Sequence, residues 1–350
     1  MRKVLTVALC ASFVAPVAGP SAAARTVYDE AWAWCIGADG ASTAHRVEGC
    51  TWLIRHGDQK GKDLASAFIN LGQAHHDPRN PALTLASYER AIQLDPGGAQ
   101  GYASRGVLRR QQGDSAGAME DWSQVIHLEP QAGQAYNSRG LIRAEQGDMV
   151  GAIADYTAAL RWTPRATQVL VNRGQARFEV RDLKGALADY NRTVALSPNR
   201  TDALEGRGLV RLASGNLLGA RADFDRLLQI DPYAAATLGN RCIARHRLGE
   251  PRAVEDCDAG VEAALPETAW PHAARGGLRL LTRDLPGASD DIGEALRRDP
   301  RNAATVHLRG LLRARLGDPA GAAVDMRAAR SLQPQVEARV VEIFGAGMAR

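Results

Sequence analysis

Residues 133–166 read GQAYNSRGLIRAEQGDMVGAIADYTAALRWTPRA, and much of the chain repeats this stretch with small changes. Its proline belongs to a series in which each member lies 34 residues after the one before it. The series consists of Pro96, Pro130, Pro164, Pro198, Pro232, Pro266, Pro300 and Pro334. Self-similarity at one fixed spacing predicts a stack of like units, each burying its apolar side against the next.

Small residues recur at two sites of the unit, and a large residue recurs at a third. The first small site holds Gly106, Gly140, Gly174, Gly208, Gly276 and Gly310; the second holds Ala118, Ala152, Ala186, Ala220, Ala288 and Ala322; the large site holds Trp122, Tyr156, Tyr190 and Phe224. Small residues let paired helices approach closely, and the aromatic ring fills the space toward the next pair. Each proline ends a second helix, and Gly-Asp pairs such as Gly147-Asp148 turn the chain between helices.

The unit length and the placement of Tyr136, Gly140, Ala152, Tyr156 and Pro164 resemble the tetratricopeptide repeat family. The resemblance implies an all-α fold, a right-handed superhelical solenoid of antiparallel helix hairpins. On this basis residues 65–336 form eight units of 34 residues, the first of them weaker, and residues 25–64 form a degenerate hairpin. We expect residues 337–350 to form a capping helix over the last open apolar face, with a frayed tail beyond Phe344.

The first 24 residues have the three parts of a secretory signal peptide. Basic residues Arg2 and Lys3 precede an apolar run over residues 4–17, and the small residues Ala22 and Ala24 follow. We predict cleavage after Ala24 and a periplasmic or secreted protein. An uncleaved anchor is the alternative, although the run is short for a membrane span. No later stretch is long and apolar enough to cross a bilayer.

Charge and motif content argue against several classes of function. The formal net charge is +4, and loss of Arg2 and Lys3 would lower it to 4 − 2 = +2, which indicates no nucleic-acid partner. The histidines, including the pair His75-His76, lack the spacing of a metal site. Phosphate-binding loops and nucleophile elbows are also missing from the sequence. We therefore predict no catalytic residue, no metal and no cofactor.

An arginine precedes the first small site where the family usually has a leucine-like residue, and an aspartate recurs in the second helix. The predicted ion pairs are Arg105–Asp121, Arg139–Asp155, Arg173–Asp189, Arg207–Asp223, Arg275–Asp291 and Arg309–Asp325. In the weaker unit Leu71 replaces the arginine and Ser87 replaces the aspartate. Joint loss is expected of a partly buried ion pair, because a lone buried charge is costly. We favour a structural role over ligand binding.

A second arginine lies four residues after the first, on the same helix face. The set is Arg109, Arg143, Arg177, Arg211, Arg245, Arg279 and Arg313. The sequence shows no constant partner for it, although the turn aspartates Asp114, Asp148, Asp182 and Asp318 are candidates. A structural row and a site for a partner's carboxylates are therefore equally open. The candidate partner-binding residues are Arg143, Arg177 and Arg211, with Asn137, Asn172 and Asn240 as amides that could bind a peptide backbone.

Four cysteines follow the leader, as two pairs that are each separated by 15 residues. We assign Cys242 to the glycine site of its hairpin and Cys257 to the aspartate site, which face each other. Such a crossing can bring the Cα atoms within the roughly 7 Å that a disulfide needs, and export supplies an oxidising compartment. We predict the disulfides Cys35–Cys50 and Cys242–Cys257. Zinc binding is disfavoured because zinc ligand pairs are more tightly spaced.

Two hypotheses about function follow from the repeat. The first is a non-catalytic scaffold that binds a protein or peptide on the concave face of its first helices. The alternative is a permanent structural subunit of an envelope or secretion assembly, packed through its convex or terminal surfaces. An enzyme is the least favoured class, and neither the partner nor the oligomeric state follows from the sequence.

Overall fold

The computed structural model describes residues 22–57, 60–75 and 81–349. Within these ranges it contains nineteen α-helices, two short 3₁₀ helices and no β-strand. The fold is therefore all-α, as predicted, and adjacent helices pair into antiparallel hairpins. Most of the predicted signal peptide, together with His76, lies outside the described residues.

The chain divides into two compact units, residues 1–135 and 136–350. The first contains α1 (Ala22–Ile36), α2 (Thr43–His56), α3 (Lys62–Ala74), α4 (Ala82–Leu94), α5 (Ala99–Gln111) and α6 (Ser115–Leu128). The second begins within α7 (Gly133–Glu145) and continues with α8 (Met149–Trp162), α9 (Thr167–Glu179), α10 (Leu183–Leu196), α11 (Thr201–Ala213), α12 (Leu217–Ile230), α13 (Ala235–Arg247), α14 (Ala253–Glu262), α15 (Trp270–Leu281), α16 (Leu285–Arg298), α17 (Ala303–Arg315), α18 (Pro319–Leu332) and α19 (Val336–Phe344).

Helix pairing follows one scheme inside each unit. Odd-numbered helices up to α17 are the first helices of hairpins, and each packs on the even-numbered helix that follows it, with α7 and α8 joined by the Arg139–Asp155 pair. The second helix then packs on the first helix of the next hairpin, as α8 does on α9 and α10 on α11. This arrangement buries the apolar side of every inner hairpin, which is the packing expected of a solenoid.

Short-range chemistry explains where the second helices begin. The Asp148 side chain caps α8 by accepting a hydrogen bond from the Gly151 backbone nitrogen at 2.9 Å. Gly147, just before the cap, has a φ of 83°, a left-handed conformation that favours glycine. Equivalent caps start α6, α10, α12, α16 and α18.

Glycine at the first small site permits the close approach of the two helices of a hairpin. A Cβ added to Gly140 would lie 2.7 Å from Cε1 of Tyr156, and one added to Gly208 would lie 2.6 Å from Cε1 of Phe224. Both rings are fully buried. The glycine and aromatic sites thus form a single packing contact, which any larger residue would disrupt.

The last helix, α19, contacts several first helices of the second unit. It lies mainly against the first helix α17 and reaches back to α11 and α13, rather than lying chiefly on the second helix α18. Beyond α19, residues 346–349 form a 3₁₀ helix in which Met348 is fully buried. Among the described helices, none is long and apolar enough to cross a membrane.

Candidate partner-binding face

The six predicted arginine–aspartate pairs are each brought together inside a hairpin. The distances from Nη2 to Oδ1 are 2.8 Å for Arg105–Asp121, 2.7 Å for Arg139–Asp155, 2.6 Å for Arg173–Asp189, 2.6 Å for Arg207–Asp223, 2.7 Å for Arg275–Asp291 and 2.7 Å for Arg309–Asp325. In the second hairpin of this series Arg139 Nε also donates to Asp155 at 3.0 Å, which makes the pair bidentate. These hydrogen bonds raise the pKa of Arg139 above its usual value.

The second arginine of each hairpin binds the same aspartate as the first. Nη1 of Arg143 lies 2.8 Å from Asp155, Nη1 of Arg177 lies 2.6 Å from Asp189, and Nη1 of Arg211 lies 2.7 Å from Asp223. The sequence had suggested no constant partner, because the aspartate was already assigned to the first arginine. A carboxylate has two oxygens and about four lone-pair sites, so one aspartate can serve both guanidinium groups.

A glycine in the first turn of the second helix makes room for this arginine. Arg143 Nη1 also donates to the Gly151 carbonyl oxygen at 3.3 Å. A Cβ on Gly151 would lie 2.1 Å from Asp148 Oδ2 and 3.0 Å from Arg143 Cδ. A glycine recurs at this site in the sequence, and its recurrence could have predicted that the second arginine packs inside its own hairpin. The glycines are Gly117, Gly151, Gly185, Gly219, Gly287 and Gly321.

The cysteine-containing hairpin corrects one assignment made from the period. Its aspartate is Asp256, whose carboxylate lies 2.7 Å from Arg241 and 2.8 Å from Arg245. Cys257 therefore occupies the aromatic site rather than the aspartate site. The register differs because Asp256 follows Arg241 by 15 residues, whereas Asp121 follows Arg105 by 16, although the interval between prolines stays at 34 residues.

The same shift explains the neighbour of this cysteine. Asp258 lies one position after the aromatic site and binds Arg275 of the next hairpin at 2.9 Å. Ala253 takes the second small site and is 4% exposed. The hairpin thus retains both its small site and its ion pair.

Both cysteine pairs lie at bonding distance and are fully buried. The Cα atoms are 4.5 Å apart in Cys35–Cys50 and 5.3 Å apart in Cys242–Cys257, and the sulphur atoms of the first pair are 2.03 Å apart. This geometry lies within the range found for protein disulfides. In each hairpin the cysteines replace the contact between glycine and aromatic residue that closes the others.

The candidate asparagines lie along the first helices of the second unit. Asn137 Oδ1 accepts a hydrogen bond from Asn172 Nδ2 at 3.2 Å, which joins α7 to α9. Asn240 Oδ1 accepts one from Trp270 Nε1 at 2.8 Å, which joins α13 to α15. Asn137 and Asn240 are buried, so both amides serve first to connect neighbouring hairpins.

Helix α19 covers part of the surface formed by the first helices of the second unit. Val336, Val340 and Phe344, spaced four residues apart on one side of α19, are buried. The Phe344 ring lies 6.4 Å from the Trp270 ring, and a Cβ on Gly277 would lie only 2.3 Å from Phe344 Cε1. We call the surface formed by α9, α11, α13, α15 and α17 around α19 the helix-binding face.

Charged residues of the helix-binding face bind the polar side and the end of α19. Arg339 binds Glu179 at 2.7 Å and lies over the Phe178 ring. Arg181 forms an ion pair with Glu342. Arg247 donates to the Ile343 carbonyl oxygen at 3.2 Å, near the negative end of the helix dipole.

A cavity of about 380 Å³ remains beside α19. Its apolar lining includes Phe178, Leu209, Leu212, Trp270 and Ile343. Glu205 lies at its edge, and burial raises the pKa of this carboxyl above its usual value. The helix therefore does not fill the space that the first helices enclose.

A family model described as tetratricopeptide repeat matches residues 103–167 and 171–235. No curated protein matches the chain significantly. A tetratricopeptide repeat protein from Parabacteroides merdae ATCC 43184 is 19% identical over 71% of this chain and 98% of its own, with a TM-score of 0.57. YrrB, a tetratricopeptide repeat protein with an unusual peptide-binding site, is 21% identical over 50% of this chain and 91% of its own, with a TM-score of 0.47.

The likeness to the Parabacteroides protein shows a shared fold and nothing more specific. The two stretches that the family model matches contain glycine, alanine and aromatic sites that recur in the neighbouring hairpins. Residues 103–167 and 171–235 therefore match the tetratricopeptide repeat, and the described residues have the solenoid fold of such repeats.

Proposed function

We propose that this protein is a non-catalytic scaffold that binds a helical segment of a partner protein on the helix-binding face, in the cell envelope or outside the cell. Tetratricopeptide-repeat proteins commonly mediate interactions between proteins. The observation that carries the proposal is that this face already holds a helix, α19, by apolar contacts, ion pairs and carbonyl capping. A surface that binds one amphipathic helix has the chemistry to bind another.

The second arginines contribute to this scaffold from within the hairpins. The Nη1 group of each binds a buried aspartate, as that of Arg177 binds Asp189 at 2.6 Å. We therefore propose the structural role for Arg143, Arg177 and Arg211, and place partner recognition on the groups that contact α19. Replacing Arg177 by Gln should destabilise its hairpin, whereas a ligand-binding arginine could be replaced without that cost.

Export is supported by the cysteines. Two buried pairs at disulfide geometry are typical of oxidising compartments and rare in the reducing cytosol. The test is the mass of the mature protein purified from the envelope fraction, before and after reduction and alkylation. Cleavage after Ala24, with four cysteines alkylated only after reduction, is expected; an intact leader or free thiols would contradict export and pairing respectively.

Site-specific photo-crosslinking distinguishes the scaffold from a permanently packed subunit. A photoreactive amino acid is placed at Glu205, at the edge of the cavity beside α19, or at Leu218, which is 61% exposed on the second helix α12. Both positions belong to the same hairpin, so the Leu218 variant is a matched control for folding and expression. We expect a crosslinked partner from position 205 that a competing helical peptide removes; crosslinks only from position 218 would favour the packed subunit.

A further inference from the structure

The last helix, α19, contacts residues that are far from it in sequence. Arg339 binds Glu179 and Arg181 binds Glu342, at separations of about 160 residues. We propose that α19 is an autoinhibitory latch, and that the partner of the helix-binding face carries an amphipathic helix of the same pattern, which displaces it. This inference rests on the proposed function and adds the class of partner and its regulation.

The contacts of α19 define the pattern of the partner helix. Apolar side chains lie at Val336, Val340 and Phe344, with a basic residue three positions after the first of them and an acidic residue six positions after it. The basic residue meets Glu179 and the acidic residue meets Arg181. The partner is therefore a protein segment with apolar residues at i, i+4 and i+8, a cation at i+3 and an anion at i+6.

The fit of α19 is incomplete, which leaves room for a better ligand. Ile343 lines the cavity of about 380 Å³ between α19 and the first helices. A partner helix with an aromatic side chain at this position, i+7, would fill space that Ile343 leaves empty. Filling such a cavity restores dispersion contacts that its walls now lack.

The length of α19 and its connection to α18 favour reversible undocking. The helix has nine residues, fewer than the roughly 12–15 that an isolated helix needs to be even marginally stable in water. Only Gln333, Pro334 and Gln335 connect it to α18, and Pro334 cannot continue a helix. Because its stability comes from docking, undocking and unfolding of α19 are one local event that leaves the hairpins intact.

Two turns of the second unit hold an arginine in a left-handed conformation, and one of these arginines contacts α19. Arg181 has a φ of 70°, where the corresponding turns have Gly113, Gly147, Gly215, Gly249 and Gly317. A left-handed conformation is unfavourable for a residue with a Cβ. At this site the arginine gains the ion pair with Glu342 of α19. Arg283 has a φ of 64° at the equivalent turn between α15 and α16, so it provides a matched control.

Hydrogen exchange of the full chain tests the latch without risk to the fold. Arg181→Gly installs the residue that five equivalent turns already use and removes the ion pair with α19. We expect α19 amides to exchange on the order of fivefold faster, since a partly exposed pair contributes up to about that factor. Arg283→Gly should leave α19 unchanged. Equal exchange of α19 in both variants and the parent would overturn the role of Arg181 in the latch.

Peptide binding tests what occupies the face. The probe is a fluorescent peptide of residues 335–348, measured by anisotropy against the parent chain and Phe344→Asp, which expels α19 but leaves the first helices unaltered. A latch closed more than nine-tenths of the time predicts at least tenfold tighter binding to the variant, because apparent affinity scales with the open fraction. A peptide carrying the same Phe344→Asp change should bind neither protein.

The outcomes separate the latch from the face that it covers. Equal, tight binding of the peptide to both proteins would overturn autoinhibition while the proposed helix-binding function stands. If exchange shows α19 undocked in Phe344→Asp, and α9 and α11 still protected, yet no peptide binds, the helix-binding face itself is wrong. Should Phe344→Asp disturb α9 and α11, Val340→Asp replaces it in the same assay.

Discussion

Each buried aspartate holds two arginines, so removing one carboxylate should have a large effect. The chosen perturbation is Asp189→Asn in the α9–α10 hairpin. Asp189 accepts hydrogen bonds from Arg173 Nε at 2.9 Å, Arg173 Nη2 at 2.6 Å and Arg177 Nη1 at 2.6 Å. The amide loses the charge, and its NH₂ group must face a guanidinium that can only donate.

The magnitude follows from burial. Removing one partner of a buried ion pair costs about 3–5 kcal/mol. Here the Asp189 side chain is 4% exposed, whereas Arg173 and Arg177 are 13% and 21% exposed and keep some contact with water. We therefore expect the lower end, about 3 kcal/mol, which corresponds to roughly 100-fold faster exchange of amides in α9 and α10.

The assay is native-state hydrogen exchange of the full chain, with two matched variants. Asp182→Asn alters the cap of the same hairpin, where the equivalent position of the next hairpin is already Asn216, so it should cost under about 0.5 kcal/mol. Arg173→Leu with Asp189→Ser installs the residues of the weaker unit, Leu71 and Ser87. That pair should lose less stability than Asp189→Ser alone, because it leaves no orphan charge at position 173. Exchange of α9 and α10 within threefold of the parent in Asp189→Asn would refute the reasoning.

Three further predictions concern the cysteines, a buried histidine and the cavity. Replacing Cys242 and Cys257 together by Ser should cost about 3 kcal/mol in the chain-entropy model, measured as the difference in urea unfolding from the oxidised parent; a difference under about 1 kcal/mol would contradict it. Burial lowers the pKa of His272 below its usual value of 6.5, so the folded chain resists a proton that the unfolded chain takes up, and stability should fall as pH drops below about 6.5. His272→Leu, the residue that Leu204 and Leu238 supply at equivalent sites, should reduce the loss of Tm between pH 7 and pH 5; an unchanged loss would assign it to other groups. Ile343→Phe should fill part of the cavity and slow the exchange of α19 amides, and faster exchange would show that the cavity does not accept the ring.

Much of the fold could be read from local pattern. The first arginine of each hairpin was paired with the correct aspartate because the two residues recur at one fixed separation. The joint change to Leu71 and Ser87 in the weaker unit also indicated that they interact. The second arginine of each hairpin was not paired with its aspartate, because we assumed that each carboxylate binds only one cation. Its partner depended on lone-pair geometry, and on the space above Gly151 that only side-chain packing reveals.

The cysteine-containing hairpin shows where a period misleads. The prolines keep their spacing through this unit, yet the aspartate follows the first arginine after 15 residues instead of 16, and α14 has ten residues instead of the fourteen of α12. Asp256 rather than Cys257 therefore meets Arg241. A spacing conserved across the whole unit does not fix the register inside it, because helix ends can shift against each other.

The sequence by itself determined that this protein is a series of helix pairs with small residues at the crossings and charged pairs between the helices. These features depend on residues within one unit, where spacing dictates which side chains meet. Only the tertiary structure decided that α19 lies on the first helices and binds Glu179 and Arg181. Val336, Val340 and Phe344 would be apolar on either surface, and the choice between surfaces depends on side chains about 160 residues away.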